Sequence, residues 1–163
     1  MKLKINRFAI NLSTLGITLH YAVETEAETR PTTGYKEIKG PKSTPSLNPS
    51  PETLETTTLN EKEYKSYIDG LKDLGGALEF TFNLTQELIT SWDTLMADYT
   101  AGIATGKRTW FCIDIPGLSE AFYFPGNPSE MGLPETSVNS VLEITNYVTP
   151  VGAPEKAARI VNN

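Results

Sequence analysis

Residues 69 to 83 read DGLKDLGGALEFTFN, and the fold turns on how this stretch is understood. Its second half alternates. Leu78, Phe80, Phe82 and Leu84 fall on one face, and Ala77, Glu79, Thr81 and Asn83 on the other. That period of two describes a half-buried β-strand. A slip of one residue would turn four large apolar side chains into water, so something must pin the register. Asp69-Gly70 and Gly75-Gly76 offer backbone positions tolerant of positive φ, which suit a tight corner in front of the strand. A rival reading makes Asp69, Asp73 and the glycines an ion or phosphate site. It fails on spacing: the aspartates lack the alternating ligands and distal glutamate of a calcium loop, and the Gly-Gly pair lacks the lysine and second glycine of a phosphate loop.

Working outward, Thr85 is positioned to cap a helix, with Gln86 and Glu87 in its first turn. Leu88, Ile89, Trp92, Leu95, Met96 and Tyr99 then recur on one helical stripe, and Gly102 and Gly106 mark the stop. Upstream, GITLHYAVE alternates. Ile17, Leu19, Tyr21 and Val23 share one face and His20 lies on the polar face, as a surface residue. Downstream, TWFCIDI and EAFYF flank the turn-rich PGLS and read as a hairpin. After the glycine- and proline-dense PGNPSEMGLPE, SVNSVLEITNYV gives a further strand, with Val138, Leu142, Ile144 and Val148 on one face.

Two segments lack this order. Residues 25–53 carry five prolines and two glycines with almost no periodicity. A connection so long is uncommon inside a compact domain unless it has a function. It reads as an extended arm that orders on another subunit, with Tyr35 and Ile38 as anchors. LETTTL, residues 54–59, is β-prone but has no apolar face, and Asn60 with Glu63 suggests a short helical turn through Tyr64 and Tyr67. Residues 149–163 read as a short mobile tail, with Ile160 and Val161 as docking residues. The expected architecture is a single domain over 1–163, mainly β (α+β): an antiparallel β-sandwich or barrel of at least six strands with one flanking α-helix.

Composition narrows the function. The chain has 163 residues, 14 basic and 20 acidic, for a net charge of −6. A protein that grips DNA should show a basic patch, and Lys107-Arg108 is the only adjacent basic pair. Cys112 is the sole cysteine, so neither a disulfide framework nor a thiolate metal cluster is available. A nucleophilic cysteine needs a base, and His20 is the only histidine. No G-x-S-x-G or H-E-x-x-H occurs, and an acid/base pair of Asp114 and Glu120 has no support beyond the abundance of acids. The N-terminal MKLKINRFAINLSTLGITLHYAV begins with basic residues, but Asn11, Ser13 and Thr14 break the apolar run a signal peptide needs. No stretch is apolar enough to span a membrane. Asn11-Leu-Ser and Asn83-Leu-Thr match the glycosylation pattern, which carries little weight alone. No cofactor, metal or catalytic residue is expected.

The succession RPTTGYKEIKG, LETTTL, YKSYIDGLKDLGGALEFTFNLT, the helix with Trp92, WFCIDIPGL, AFYFPGNPS and GLPETSVNSVLEI resembles the major tail tube proteins of long-tailed bacteriophages, from about Leu15 to Pro150. The resemblance implies the tail tube fold, rings of six subunits stacked into a hollow tube, and passage of the genome through the lumen without tight binding. It implies no catalytic residues. As partners it implies further copies of the chain, a tape measure protein, a tail terminator and a distal tail protein; as a location, the virion tail, after synthesis in the host bacterial cytoplasm. Six copies of a −6 subunit make an acidic ring, and Glu55 and Glu79 are the candidate lumen-facing residues. Two alternatives stay open: a tube protein of a contractile tail or secretion device, and a small β-sandwich carbohydrate-binding module using Trp110 and Tyr123.

Overall fold

The computed structural model describes residues 13–160, which form ten strands and one helix. The signal-like reading of the N-terminus, the Asn11 sequon and the docking role given to Val161 fall outside these residues. The strands are β1 (Thr18–Val23), β2 (Lys36–Ile38), β3 (Pro41–Ser43), β4 (Ser50–Glu55), β5 (Tyr67–Asp73), β6 (Leu78–Asn83), β7 (Thr109–Asp114), β8 (Glu120–Pro128), β9 (Glu143–Pro150) and β10 (Glu155–Ala158). Helix α1 (Gln86–Ile103) lies between β6 and β7. All pairings are antiparallel. The main sheet runs β2-β1-β7-β8-β9-β6-β3, with β10 also on β8, and it curls into a half-barrel. The expected mainly-β architecture with one flanking helix is what the chain adopts.

The curl comes from β8. Its Phe122–Pro125 stretch pairs with β7, while Gly126–Pro128 pairs with β9. The strand turns the corner at Pro125-Gly126, and its partner bulges at residues 151–154 before β10 rejoins β8 through Glu155↔Tyr123. Gly126 fits where nothing larger does, because a Cβ there would lie 2.6 Å from Val148 Cγ1 and 3.2 Å from the Thr149 carbonyl.

Inside the curl, Phe111 and Phe80 stack on Phe124, with ring centroids 5.4 and 6.3 Å away, and Phe82 meets Trp92 edge to face at 5.8 Å. Helix α1 closes this core with Leu88, Trp92 and Leu95, while Ile89, Met96 and Tyr99 are half-buried. The Trp92 indole N–H donates to the Ser129 carbonyl at 3.0 Å. Thr85 is the N-cap, its hydroxyl accepting from the Leu88 N–H. At the other end the Lys107 N–H reaches back to the Gly102 carbonyl and Gly106 sits at φ +70°, the left-handed closure that glycine permits.

Several expectations give way. Asp69-Gly70 is not a turn; both residues lie within β5. The corner is made by Gly75 and Gly76, at φ +89° and +84°, with Asp73 Oδ1 accepting from the Gly75 N–H. The opening stretch is thus architecture, with its corner at the second of the two glycine positions the sequence offers. Residues 25–53 are not one arm: β2 joins one end of the main sheet, with Ile38 paired to Leu19 in the core, and β3 joins the other end through β6. The helical turn expected through Tyr64 and Tyr67 is absent; Tyr67 opens β5. The strand expected from Ser137 starts at Glu143, because Asn139 adopts φ +59° beside a Ser137–Ser140 hydroxyl pair, leaving Val138 and Val141 exposed. The tail contains β10, fastened by a two-pronged Arg159–Asp114 ion pair (2.6 and 2.7 Å) and by the Tyr123 hydroxyl donating to the Ala158 carbonyl. Ile160 packs on the sheet's outer cluster. That cluster, with Trp110, Cys112, Ala121 and Tyr123, also buries His20, which is 4% exposed rather than on the surface.

A buried carboxylate ties β1 to β7. Glu24 Oε1 accepts from Arg108 Nε and Trp110 Nε1, both at 2.9 Å, and Oε2 from the Arg108 and Glu28 backbone N–H groups, both at 3.0 Å. Burial by itself would raise its pKa; the four donors overrule burial and hold it below the ordinary glutamate value of 4.5. Because the folded value is the lower one, this stabilisation is complete above the unfolded value and drains away as acid approaches the folded one. Glu24→Gln is therefore expected to cost about 3 kcal/mol at neutral pH and to flatten the loss of stability below about pH 4.5, measured by urea unfolding at stepped pH. Gly126→Ala should lower the urea midpoint by an amount worth about 1–3 kcal/mol; an unchanged midpoint would mean the corner relaxes freely.

Candidate assembly surfaces

β4 and β5 pair with each other and with no other described strand. Their hairpin is closed at its neck by the Thr56 N–H donating to the Ser66 carbonyl and the Ser66 N–H to Thr57 Oγ1. The strands are exposed along almost their whole length. Leu54 and Ile68 are cross-strand partners, 47% and 55% exposed, and Leu71 is 83% exposed at a register shift. Among the described residues, the apolar side chains of this hairpin find nothing to bury against. An isolated two-stranded hairpin is marginal in water, and exposed apolar side chains of this kind make it a candidate contact surface. The register shift between Pro51 and Thr53 adds the twist common in edge strands.

A second surface is the solvated face of β6 and β9. Glu79 lies opposite Tyr147, Thr81 opposite Thr145, and Asn83 opposite Glu143, while Phe80, Phe82, Ile144 and Val148 point inward. Thr81 and Thr145 hydroxyls stand 3.5 Å apart. Small hydroxyl and amide groups with carboxylates dominate here, and Glu143 is ion-paired with Lys42 of the β2–β3 side.

The nominated residues divide between these places. Glu79 is on the solvated β6 face. Glu55 is on the other sheet, at the end of β4, with its carboxylate 3.0 Å from Lys65 Nζ. The structure does not bring the two glutamates together. Ile38 is fully buried in its own core. Tyr35 is half-buried, edge-on to Tyr123 at 5.6 Å, its hydroxyl donating to the Pro31 carbonyl. Trp110 and Tyr123, the aromatics a sugar-binding groove requires, are 6% and 1% exposed. Arg30 lies 4.4 Å over the Tyr123 ring and pairs with Glu155, which covers that face.

The chemical candidates resolve as well. His20 and Cys112 are direct partners across β1 and β7. Burial pushes the thiol up to about 12, with a Tyr123 hydrogen bond opposing, and burial pushes the imidazole down, opposed by Glu37 and Asp114. Both shifts favour the neutral forms, the opposite of what a reactive thiolate–imidazolium pair requires. His20 Nε2 shares a 2.9 Å hydrogen bond with Thr18. Asp114 is committed to Arg159, and Asp69 and Asp73 stand on the exposed hairpin. Among the described residues no cluster of metal-ligating side chains occurs. Sequence reasoning missed Glu24, whose partners stand 84 and 86 residues away. Its one local signal is a carboxylate directly ending an alternating strand.

At pH 8 the Cys112 thiol should react with a disulfide reagent on the order of 10³-fold more slowly in the folded chain than in urea. Equal rates would contradict its burial.

No sequence family and no curated protein matches the chain. Among solved structures, the fold is similar to that of a chain in the baseplate of the anti-feeding prophage, determined by cryo-electron microscopy with six-fold symmetry applied. The TM-score is 0.58 at 8% identity, covering 93% of this chain and 98% of that one.

Proposed function

We propose that this chain is a structural, ring-forming subunit of a phage or prophage tail, and within that class a tail tube protein. Copies join in rings of six, the rings stack, and the genome passes along the channel. The observation that carries the reading is the β4–β5 hairpin, whose Leu54, Ile68 and Leu71 lie in water in the single subunit. A hairpin reaching a different patch on the next copy is a heterologous contact, the kind that closes rings and extends filaments. The similarity to a chain from a six-fold baseplate, over nearly the full length of both, supports the same class.

The β6–β9 face is the proposed channel lining. Its hydroxyls, amides and Glu79 suit a duplex that must slide, since carboxylates repel phosphate. Glu55 belongs instead with the hairpin contact, through its pairing to Lys65. The tape measure, tail terminator and distal tail proteins are proposed partners of the assembled tube. The baseplate likeness favours a second reading inside the class, a tube of a contractile tail or secretion device. Sheathed particles would select that reading and bare tails the first. A carbohydrate module is disfavoured by the burial of Trp110 and Tyr123.

The test combines light scattering, negative-stain microscopy and particle assembly. Wild-type protein should give rings or hollow rods, alone or in particles carrying its tail partners. Leu54→Asp with Ile68→Asp should leave circular dichroism unchanged and abolish them. Tails that incorporate the double variant normally would remove the hairpin from the assembly and overturn the reading. Glu79→Lys should leave tubes intact and slow genome release; unchanged release would strike Glu79 from the lining.

A further inference from the structure

Beyond this reading, we propose that the outer face of α1 docks a basic amphipathic segment of a second protein. A groove of about 750 Å³ runs between the helix and residues 130–131. Trp92, Met96, Ala97, Ala101 and Met131 are its apolar lining, and Asp93 and Glu130 line it too, with no lysine or arginine among the lining residues. Helix α1 contains no basic residue at all. Among the described residues neither Asp93 nor Glu130 takes part in an ion pair.

The exposed face is less polar than its sequence suggests. Thr90, Thr94 and Thr100 donate their hydroxyls to the carbonyls of Gln86, Thr90 and Met96, four residues back, at 2.8–2.9 Å. Of these Thr100 lines the groove, and with its hydroxyl turned to the backbone it leaves a methyl group for a partner. Alanines keep the surface low enough for close approach of another helix, and methionine floors adapt to different side chains.

Charge selects the occupant. Carboxylates without cations beside an apolar floor complement a helix with lysine or arginine flanking an apolar stripe, the helix-in-groove mode. They disfavour nucleic acid and anionic lipid, whose phosphates they repel. The hairpin and this groove share no residue, and the two proposals are read by different measurements, so failure here leaves the tube reading standing, and the reverse.

The experiment titrates the full chain with two labelled synthetic peptides of one lysine–leucine composition, one with leucines at helical spacing and one shuffled. Anisotropy should show the amphipathic peptide binding at least about tenfold more tightly. Ala101→Trp, which fills the groove, and Asp93→Lys with Glu130→Lys should each weaken it about tenfold or more, with circular dichroism and assembly unchanged. Equal binding of both peptides, or wild-type affinity in the charge-reversed variant, overturns the proposal. Should Ala101→Trp disturb folding, the charge reversal decides alone, since both of its positions are exposed.

Discussion

One strand belongs to both halves of the sheet, and the rest of the fold follows from how it bends. β8 serves β7 with its first part and β9 with its last, changing direction at Pro125-Gly126. The absence of a side chain at 126 lets Val148 and Phe124 close over the bend. A straight β8 would leave Phe80 and Phe124 on a flat surface instead of stacked across a concave one. Helix α1 covers the concave side, burying Leu88, Trp92 and Leu95 in one cluster with Phe80, Phe82, Phe111 and Phe124. Gly102 permits the helix to settle, because a Cβ there would come within 2.7 Å of Val23 Cγ1 on β1.

What could be read from the sequence was whatever repeats locally. The period of two in ALEFTFN and of 3.6 in the Trp92 helix reached the structure intact, down to the Thr85 cap and the Gly106 closure. What could not be read depends on partners distant along the chain. His20 sits on the polar side of an alternating strand, yet the outer cluster covers that side as well, so alternation no longer predicts exposure. Ile38 looked like an isolated anchor in a proline-rich arm because Leu19, its partner, is far upstream. The free hairpin was hidden for the opposite reason: SPETLE and YIDGLKD pair with each other but show no apolar face to announce a strand, and of LETTTL only Leu54 and Glu55 belong to it.

The site reading shows the same division. Glu79 could be placed because the alternation of β6 fixes which way it points. Glu55 could not, since its strand lies on a separate sheet whose orientation no periodicity encodes. The groove beside α1 was equally hidden. Trp92 and Met96 read as core packing, which they are, and only the approach of Met131 from a distant loop turns their edge into a recess.

The order of strands along the chain also sets a timetable. Thr18 of β1 pairs with Asp114 of β7, 96 residues later (114 minus 18). At translation rates of about 5–20 residues per second, β1 waits roughly 5–20 s on the ribosome for its neighbour. Throughout that interval Leu19, Tyr21 and Ala22 have only the three-residue β2 to pair with, and a short two-stranded ribbon with its apolar face uncovered is the sort of segment that chaperones hold and that aggregates when they do not. The local β4–β5 hairpin needs no such delay. The exposed hairpin is thus complete before the sheet that makes the chain stable.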